Sequence, residues 1–145
     1  MNIVQVVVLY YLLHHELHPT GDAAQRAYMP VCGILSNVLY PLVPIVKPQL
    51  AYFEALGPHG ITALAEVIAY AHKKELLILA DGKRGDIGST AEGYAAAFLA
   101  ENAPFPSDAL TVNPYMGVDT LEPHVKAAEA TGARFRHAIQ PNFTI

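Results

Sequence analysis

The sequence predicts an α/β fold in which strands and helices alternate along the chain and the strands form a parallel sheet. Three short apolar runs of strand length are each followed by a segment with helical spacing. Each run ends in polar residues, first Lys47, then Asp81 and Lys83, and finally Asn113. Because parallel strands end at one edge of a sheet, these side chains favour a (β/α) barrel with its active site at that edge. A doubly wound parallel sheet is the alternative.

The first strand–helix repeat begins with the short apolar run at residues 42–46. Pro48 cannot continue a hydrogen-bond ladder and favours an extended residue before it, so Lys47 is predicted to close this strand. Residues 49–56 then have helical spacing that is predicted to stop at a Gly-Pro pair, and residues 61–75 have the periodicity of an amphipathic helix. This repeat therefore places a lysine at the end of a strand.

The second strand–helix repeat carries most of the candidate catalytic residues in the chain. Residues 76–80 are apolar without alternation, which is typical of a strand buried on both faces of a parallel sheet. Asp81 and Lys83 follow, and if the chain stays extended their side chains point to the same face. Asp86 lies beyond them in a glycine-flanked turn.

The helix of the second repeat is predicted to begin at Ser89 or Thr90, either of which could cap it, and to run to about residue 102. A third strand is predicted at Ala109–Val112, and a further helix at residues 117–130. These elements complete three repeats of strand followed by helix.

The start of the chain is less clearly patterned. Residues 1–13 are nearly all apolar and could form a buried strand or a helix. The run is shorter than the roughly 20 apolar residues that span a bilayer, and it lacks the features of a secretory signal. We therefore expect no membrane segment and a cytoplasmic location.

The composition predicts a compact globular protein without a nucleic-acid partner. Apolar residues make up 52% of the 145 residues, and charged residues 15%. The net charge is −4 and the nine basic residues are scattered, so no basic surface for nucleic acid is evident. Cys32 is the single cysteine, which excludes an internal disulfide and fits a reducing compartment.

The pair formed by Asp81 and Lys83 is the principal candidate for chemistry. A carboxylate about 4–6 Å away favours the ammonium form of a lysine, which could then act as a general acid. A structural ion pair at a strand end is a common alternative. His14 and His18 have the spacing of metal ligands, but no further ligand is evident, so a solvated terminus is favoured and no metal is expected.

The motif that begins at Asp81 resembles a known family signature. The pattern Asp81-x-Lys83-x-x-Asp86-Ile87-x-x-Thr90 after an apolar strand is similar to that of orotidine 5′-phosphate decarboxylases. The resemblance extends to Val-Lys-Pro-Gln at residues 46–49 and to Asn-Pro-Tyr-Met-Gly at residues 113–117, as in the type 2 branch of many bacteria.

The resemblance covers residues 31–132 as a partial barrel domain, roughly strands two to four of the family fold with their helices. Residues 1–30 do not match the family, and residues 133–145 form a divergent tail. The fold class that follows is α/β, as a partial TIM (β/α) barrel.

The resemblance implies the decarboxylation of orotidine 5′-monophosphate to UMP in pyrimidine biosynthesis, without a cofactor. Lys83 would protonate the pyrimidine carbon as the carboxylate leaves. Asp81 would face that carboxylate and orient Lys83. Lys47 would belong to the same charged network on the ribose side.

The rest of the signature is implied to act across the interface of a homodimer with shared active sites. Asp86, Ile87 and Thr90 would reach into the site of the neighbouring subunit. The position of Asp86 beyond the strand end, which is awkward for a site in its own chain, is consistent with this role.

The length of the chain leads to a separate expectation. A TIM barrel typically needs about 250 residues, so 145 residues are too few to close one. Because the family's phosphate-gripping arginine has no counterpart here, we expect little or no activity from this chain alone. Exposed sheet edges and apolar helix faces are expected to cause oligomers or aggregation. Two alternative functions remain: a non-catalytic remnant of such an enzyme, or a related magnesium-dependent decarboxylase or aldolase of sugar phosphates.

Overall fold

The computed structural model describes residues 4–5 and 43–131. His14 and His18, for which the sequence favours a solvated terminus over a metal site, lie outside the described residues, as do the single Cys32 and residues 133–145. The chain divides into two compact units, residues 1–81 and residues 82–145. The described elements, in chain order, are β1 (Val4–Gln5), β2 (Ile45–Lys47), α1 (Leu50–Glu54), α2 (Gly57–Lys73), β3 (Leu77–Arg84), α3 (Gly88–Phe98), β4 (Ala109–Val112), the 3-10 helices Pro114–Met116 and Val118–Leu121, and α4 (Glu122–Thr131).

The strands follow one another in the sheet in the order β1-β2-β3-β4. In the first unit the pairing is parallel, with Val4 opposite Val46 and Ile45 opposite Leu77. The predicted parallel α/β arrangement is therefore confirmed. Of residues 1–13, the described pair is a strand, and the others lie outside the described residues.

The strand β2 ends at Lys47, as predicted. It begins at Ile45 because Pro44 has no N–H to donate to the hydrogen-bond ladder. The Pro44 carbonyl still accepts the Leu77 N–H at 3.0 Å. The predicted residue 42 lies outside the described residues.

The helix α2 begins four residues earlier than predicted. The Gly-Pro pair that was expected to stop the preceding helix instead starts α2, with Pro58 in its first turn, where the missing N–H is not needed. A Cβ on Gly60 would overlap the Phe53 carbonyl oxygen, so this glycine permits the close packing of α1 on α2. The apolar side of α2 is buried through Ala63, Leu64, Val67, Ile68 and Ala71.

The end of α2 leads the chain into β3. The N–H of Leu76 donates to the Ala71 carbonyl and that of Glu75 to the His72 carbonyl, which is the Schellman arrangement. Glu75 takes the left-handed conformation that such an end requires, with φ of 56°. The strand β3 then buries Ile78, Leu79 and Ala80 in succession, which confirms the prediction of a strand buried on both faces.

In the second unit, the helix α3 has a different start from the predicted one. It begins at Gly88, after Ile87, and no side chain caps its first turn. The prediction that Ser89 or Thr90 caps the helix is therefore wrong, since both lie inside the first turn. The helix ends at Phe98 rather than near residue 102.

The strand β4 occupies Ala109–Val112, as predicted. The predicted helix at 117–130 is instead a 3-10 helix followed by α4. Gly117, with φ of 121°, separates two short 3-10 helices, Pro114–Met116 and Val118–Leu121. The side chain of Asn113 accepts the Tyr115 N–H at 3.0 Å and so caps the first of them. The core of this unit contains Ala95, Phe98, Leu110, Leu121 and Ala128.

None of the described helices is long and apolar enough to cross a membrane.

Candidate active site

In the first unit, the last residue of β2 and an interior residue of β3 bring a lysine and a carboxylate into contact. Lys47 Nζ lies 2.8 Å from Asp81 Oδ2, across the two neighbouring parallel strands. Asp81 is only 3% exposed. A buried carboxylate needs charged or hydrogen-bonding partners, because its transfer out of water is otherwise very unfavourable. The ion pair meets that need and fixes the carboxylate within β3.

Gln49 is a second donor to the same carboxylate, and the sequence reasoning assigned it no role. Its Nε2 donates to Asp81 Oδ2 at 3.0 Å. The Asp81 N–H donates to the Pro48 carbonyl at 2.9 Å, and Gln49 and Asp81 form a parallel bridge. The signal that could have found Gln49 is its spacing, because it follows the strand-closing Lys47 by two residues, the separation that also relates Asp81 and Lys83.

In the second unit, Lys83 has a backbone that β-strand residues rarely adopt. Its φ is 47°, in the left-handed region. Its N–H donates to Thr111 Oγ1 on β4 at 2.9 Å, and the next carbonyl, of Arg84, accepts the Asn113 N–H at 2.6 Å. The prediction that Lys83 continues an extended alternation from Asp81 is therefore wrong at this residue. The Lys83 side chain is exposed.

The backbone after Lys83 runs very close to the end of β4. A Cβ on Gly85 would lie 2.7 Å from the Asn113 carbonyl oxygen, so a residue with a side chain would require the backbone to move. The guanidinium of Arg84 lies over the Tyr94 ring, 5.4 Å from its centroid, and so ties the strand end to α3. Together these contacts hold the segment that carries Lys83.

The remaining residues of the signature lie at the start of α3. Asp86 Oδ1 accepts the Ile87 N–H at 2.8 Å. Ile87 is 56% exposed, and Thr90 is also exposed, in the first turn of the helix. These positions are accessible on the surface of the second unit, which is compatible with the expected role across an interface.

Burial also affects one ionisable side chain outside the signature. His124 on α4 is 1% exposed, and neither ring nitrogen completes a hydrogen bond in the described part of the chain. Burial lowers the pKa of His124, and the backbone of Thr120 opposes this effect in part. The imidazole is therefore neutral near pH 7.

Within residues 4–5 and 43–131, no group of three or more His, Cys, Asp or Glu side chains could hold a metal ion.

Comparison with known proteins gives a consistent set of similarities. The family described as "Orotidine 5′-phosphate decarboxylase / HUMPS family" matches residues 35–140. The orotidine 5′-phosphate decarboxylase of Rhodopirellula baltica is 47% identical over 116 residues, which cover 77% of this chain and 38% of the relative. That of Deinococcus radiodurans is 53% identical over 117 residues, covering 77% and 42% respectively.

Solved structures give the same result. The structure of Leishmania donovani OMP decarboxylase has a TM-score of 0.63 and 34% sequence identity, and the match covers 74% of this chain and 41% of that one. This chain therefore spans about two fifths of the length of these three relatives.

Proposed function

The chain belongs to the orotidine 5′-phosphate decarboxylase / HUMPS family, and from that premise we propose that it supplies the charged centre of a site that converts orotidine 5′-monophosphate to UMP. The observation that carries the proposal is the contact between Lys47 Nζ and Oδ2 of the buried Asp81 at 2.8 Å. Asp81 precedes Lys83 by two residues. This contact joins β2 and β3, the two strands that carry Lys47, Asp81 and Lys83.

The proposed chemistry needs only a proton donor and a preorganised field. The bond between the pyrimidine carbon and the carboxylate breaks, carbon dioxide leaves, and the electron pair stays on the ring carbon. The Lys83 ammonium donates a proton to that carbon and regains one from solvent. An ammonium held in place before the reaction stabilises the developing charge without reorganisation.

Asp81 has a second part in the proposal. A fixed carboxylate beside the substrate carboxylate raises the free energy of the bound substrate more than that of the transition state, in which the negative charge has moved to the ring carbon. Lys47 neutralises part of the Asp81 charge and is assigned to the ribose side of the substrate. The assignment of Lys47, Asp81 and Lys83 to one network rests on the family resemblance.

We also propose that the site is completed by a second subunit. Asp86, Ile87 and Thr90 are assigned to the neighbouring subunit's site, and the exposure of Ile87 and Thr90 supports this assignment. A cytoplasmic location is proposed on the basis of the single cysteine and the resemblance.

The test is the rate of orotidine 5′-monophosphate decarboxylation by the purified chain and by its Lys83→Ala variant. Loss of a general acid lowers the rate by about 10²–10⁴-fold, so we expect the turnover rate of the variant to fall by at least about 10²-fold. Lys73→Ala, at an exposed lysine in the last turn of α2, is the control and should retain the rate. Measurable turnover that is equal in the parent chain and the Lys83→Ala variant would contradict the proposal. If the chain alone has no turnover, the same comparison is made in a longer protein.

A chimaera tests the same residue in a longer protein. The matching 117 residues of the Deinococcus radiodurans relative are replaced by the corresponding residues of this chain. We expect the chimaera to turn over the substrate and its Lys83→Ala form to lose turnover. A chimaera that folds without turnover would favour the non-catalytic alternative.

The alternative magnesium-dependent reaction on sugar phosphates is tested with a chelator. The family description includes HUMPS proteins, so it does not by itself separate the two reactions. Decarboxylation that is unchanged by a chelator supports the proposal, whereas activity on a sugar phosphate that the chelator abolishes would favour the alternative.

A further inference from the structure

We propose that Gln49 is a positioning residue that fixes the orientation of the Asp81 carboxylate for the reaction. The inference rests on the proposed function for its catalytic consequence, and on contacts within the first unit for its physical basis. Gln49 donates to Asp81 Oδ2 at 3.0 Å, and Lys47 donates to the same oxygen at 2.8 Å. Two donors thus converge on one oxygen of a carboxylate that is 3% exposed.

The backbone makes this convergence rigid. Pro48, between the two donors, is fully buried, and its carbonyl accepts the Asp81 N–H at 2.9 Å. Gln49 itself forms a parallel bridge with Asp81. The Cα positions of the amide donor and the carboxylate acceptor are therefore fixed relative to each other before any ligand binds.

The position of Gln49 in its helix supports a role beyond local structure. It is the residue before α1, with φ of −87° and ψ of 110°, where a side chain commonly accepts a hydrogen bond from the first turn. The Gln49 side chain makes no such bond, and its amide is directed at Asp81 instead. The helix start is thus left without a side-chain cap, while the carboxylate gains a second donor.

The two donors have different physical properties. The Lys47 ammonium carries charge, but it sits on a flexible stem and can donate in three directions. The Gln49 amide is neutral and planar, so its N–H direction is fixed by the side-chain dihedral angles. Lys47 therefore balances the charge of Asp81, whereas Gln49 restricts the rotation of the carboxylate.

The first experiment tests the contact in the unmodified chain by NMR. We expect the side-chain amide hydrogens of Gln49 to exchange with solvent at least about tenfold more slowly than those of Asn102, which is exposed. Equal exchange rates would overturn the proposal. This measurement needs neither a variant nor activity.

The second experiment uses Gln49→Met, which keeps the length of the side chain and removes the donor. The Asp81 carboxyl carbon resonance should move in this variant and stay in place in Ala51→Ser, a control at an exposed position of α1. In the decarboxylation assay, kcat should fall about 10- to 100-fold, as for a misplaced reacting group, while KM changes less than about threefold.

The outcomes separate this inference from the proposed function. The positioning role would be overturned if the Asp81 carboxyl resonance does not move in the Gln49→Met variant. It would also be overturned if that variant has the same kcat as the parent protein. If the unmodified chain and the chimaera both lack turnover, the proposed function fails, and the amide exchange and the carboxyl resonance then decide whether Gln49 orients Asp81.

Discussion

Lys83 combines a strained backbone with an exposed position. A φ of 47° is unfavourable for a residue with a side chain, by roughly 1–2 kcal/mol, and it persists only where surrounding contacts impose it. One contact that restrains it is the hydrogen bond from the Lys83 N–H to Thr111 Oγ1. We infer that Thr111 sets the direction in which the lysine leaves the strand.

This inference predicts different effects for two substitutions of Thr111. Thr111→Val removes the acceptor of the Lys83 N–H and should lower the free energy of unfolding by about 1–2 kcal/mol. Thr111→Ser keeps the hydroxyl and should lower it by less. Urea unfolding of the two variants and the parent chain measures the difference, and equal losses for Val and Ser would show that the hydroxyl is not the stabilising group.

At the scale of single elements, α4 carries a titratable group in the core of the second unit. His124 has a lowered pKa because of its burial, whereas an unfolded chain has the ordinary value of about 6.5. As the pH falls through about 6.5, the unfolded chain takes up a proton that the folded chain does not. The second unit should therefore lose stability from that pH down to the lowered pKa, by at most about 1.4 kcal/mol per pH unit.

The variant His124→Phe should remove this dependence, because phenylalanine does not titrate. Ala51→Ser, at an exposed position of α1, is the control and should keep the pH dependence of the parent chain. Urea midpoints measured from about pH 7.5 to 5 give the slopes. A slope that persists in the His124→Phe variant would assign the pH dependence to other groups.

The elements also show what the sequence could and could not predict. The strands β2 and β4 end where the apolar runs do, since a buried strand is defined by side chains that the sequence states directly. The start of α2 was missed because a Gly-Pro pair has the same appearance at the end of one helix and at the start of the next. The capping of α3 by Ser89 or Thr90 was predicted wrongly because the chain enters that helix from an extended Ile87, which leaves both residues inside the helix.

For the candidate site, the sequence identified the charged residues but not their supports. Lys47 and Asp81 were predicted as members of one network, and the structure brings their side chains together. Gln49 and Thr111 were missed because each acts through a hydrogen bond to a residue 32 or 28 positions away. Partners that are so distant along the chain are set by the register of neighbouring strands, which a single sequence does not specify.

At the scale of the whole molecule, the surface of the second unit favours association. Among its described residues, four large apolar side chains are exposed: Ile87 at 56%, Tyr115 at 82%, Met116 at 52% and Val118 at 79%. The last three lie within four positions of one another, and clustered exposed apolar side chains are typical of interaction surfaces. Because Ile87 belongs to the family signature, a second copy of this chain is the partner that the proposed function requires.

Mixing two inactive variants tests whether the sites are shared between subunits. In the proposed dimer, Lys83 and Asp86 of one site come from different chains, so Lys83→Ala and Asp86→Ala should each abolish turnover. A heterodimer of the two variants contains one site in which both residues are intact, and random exchange makes half of the dimers heterodimers. The mixture should therefore recover about one quarter of the parent activity, in the longer chimaera if the chain alone is inactive. A mixture that stays inactive after proven subunit exchange would place both residues in the same chain's site, because then every site contains at least one substituted residue.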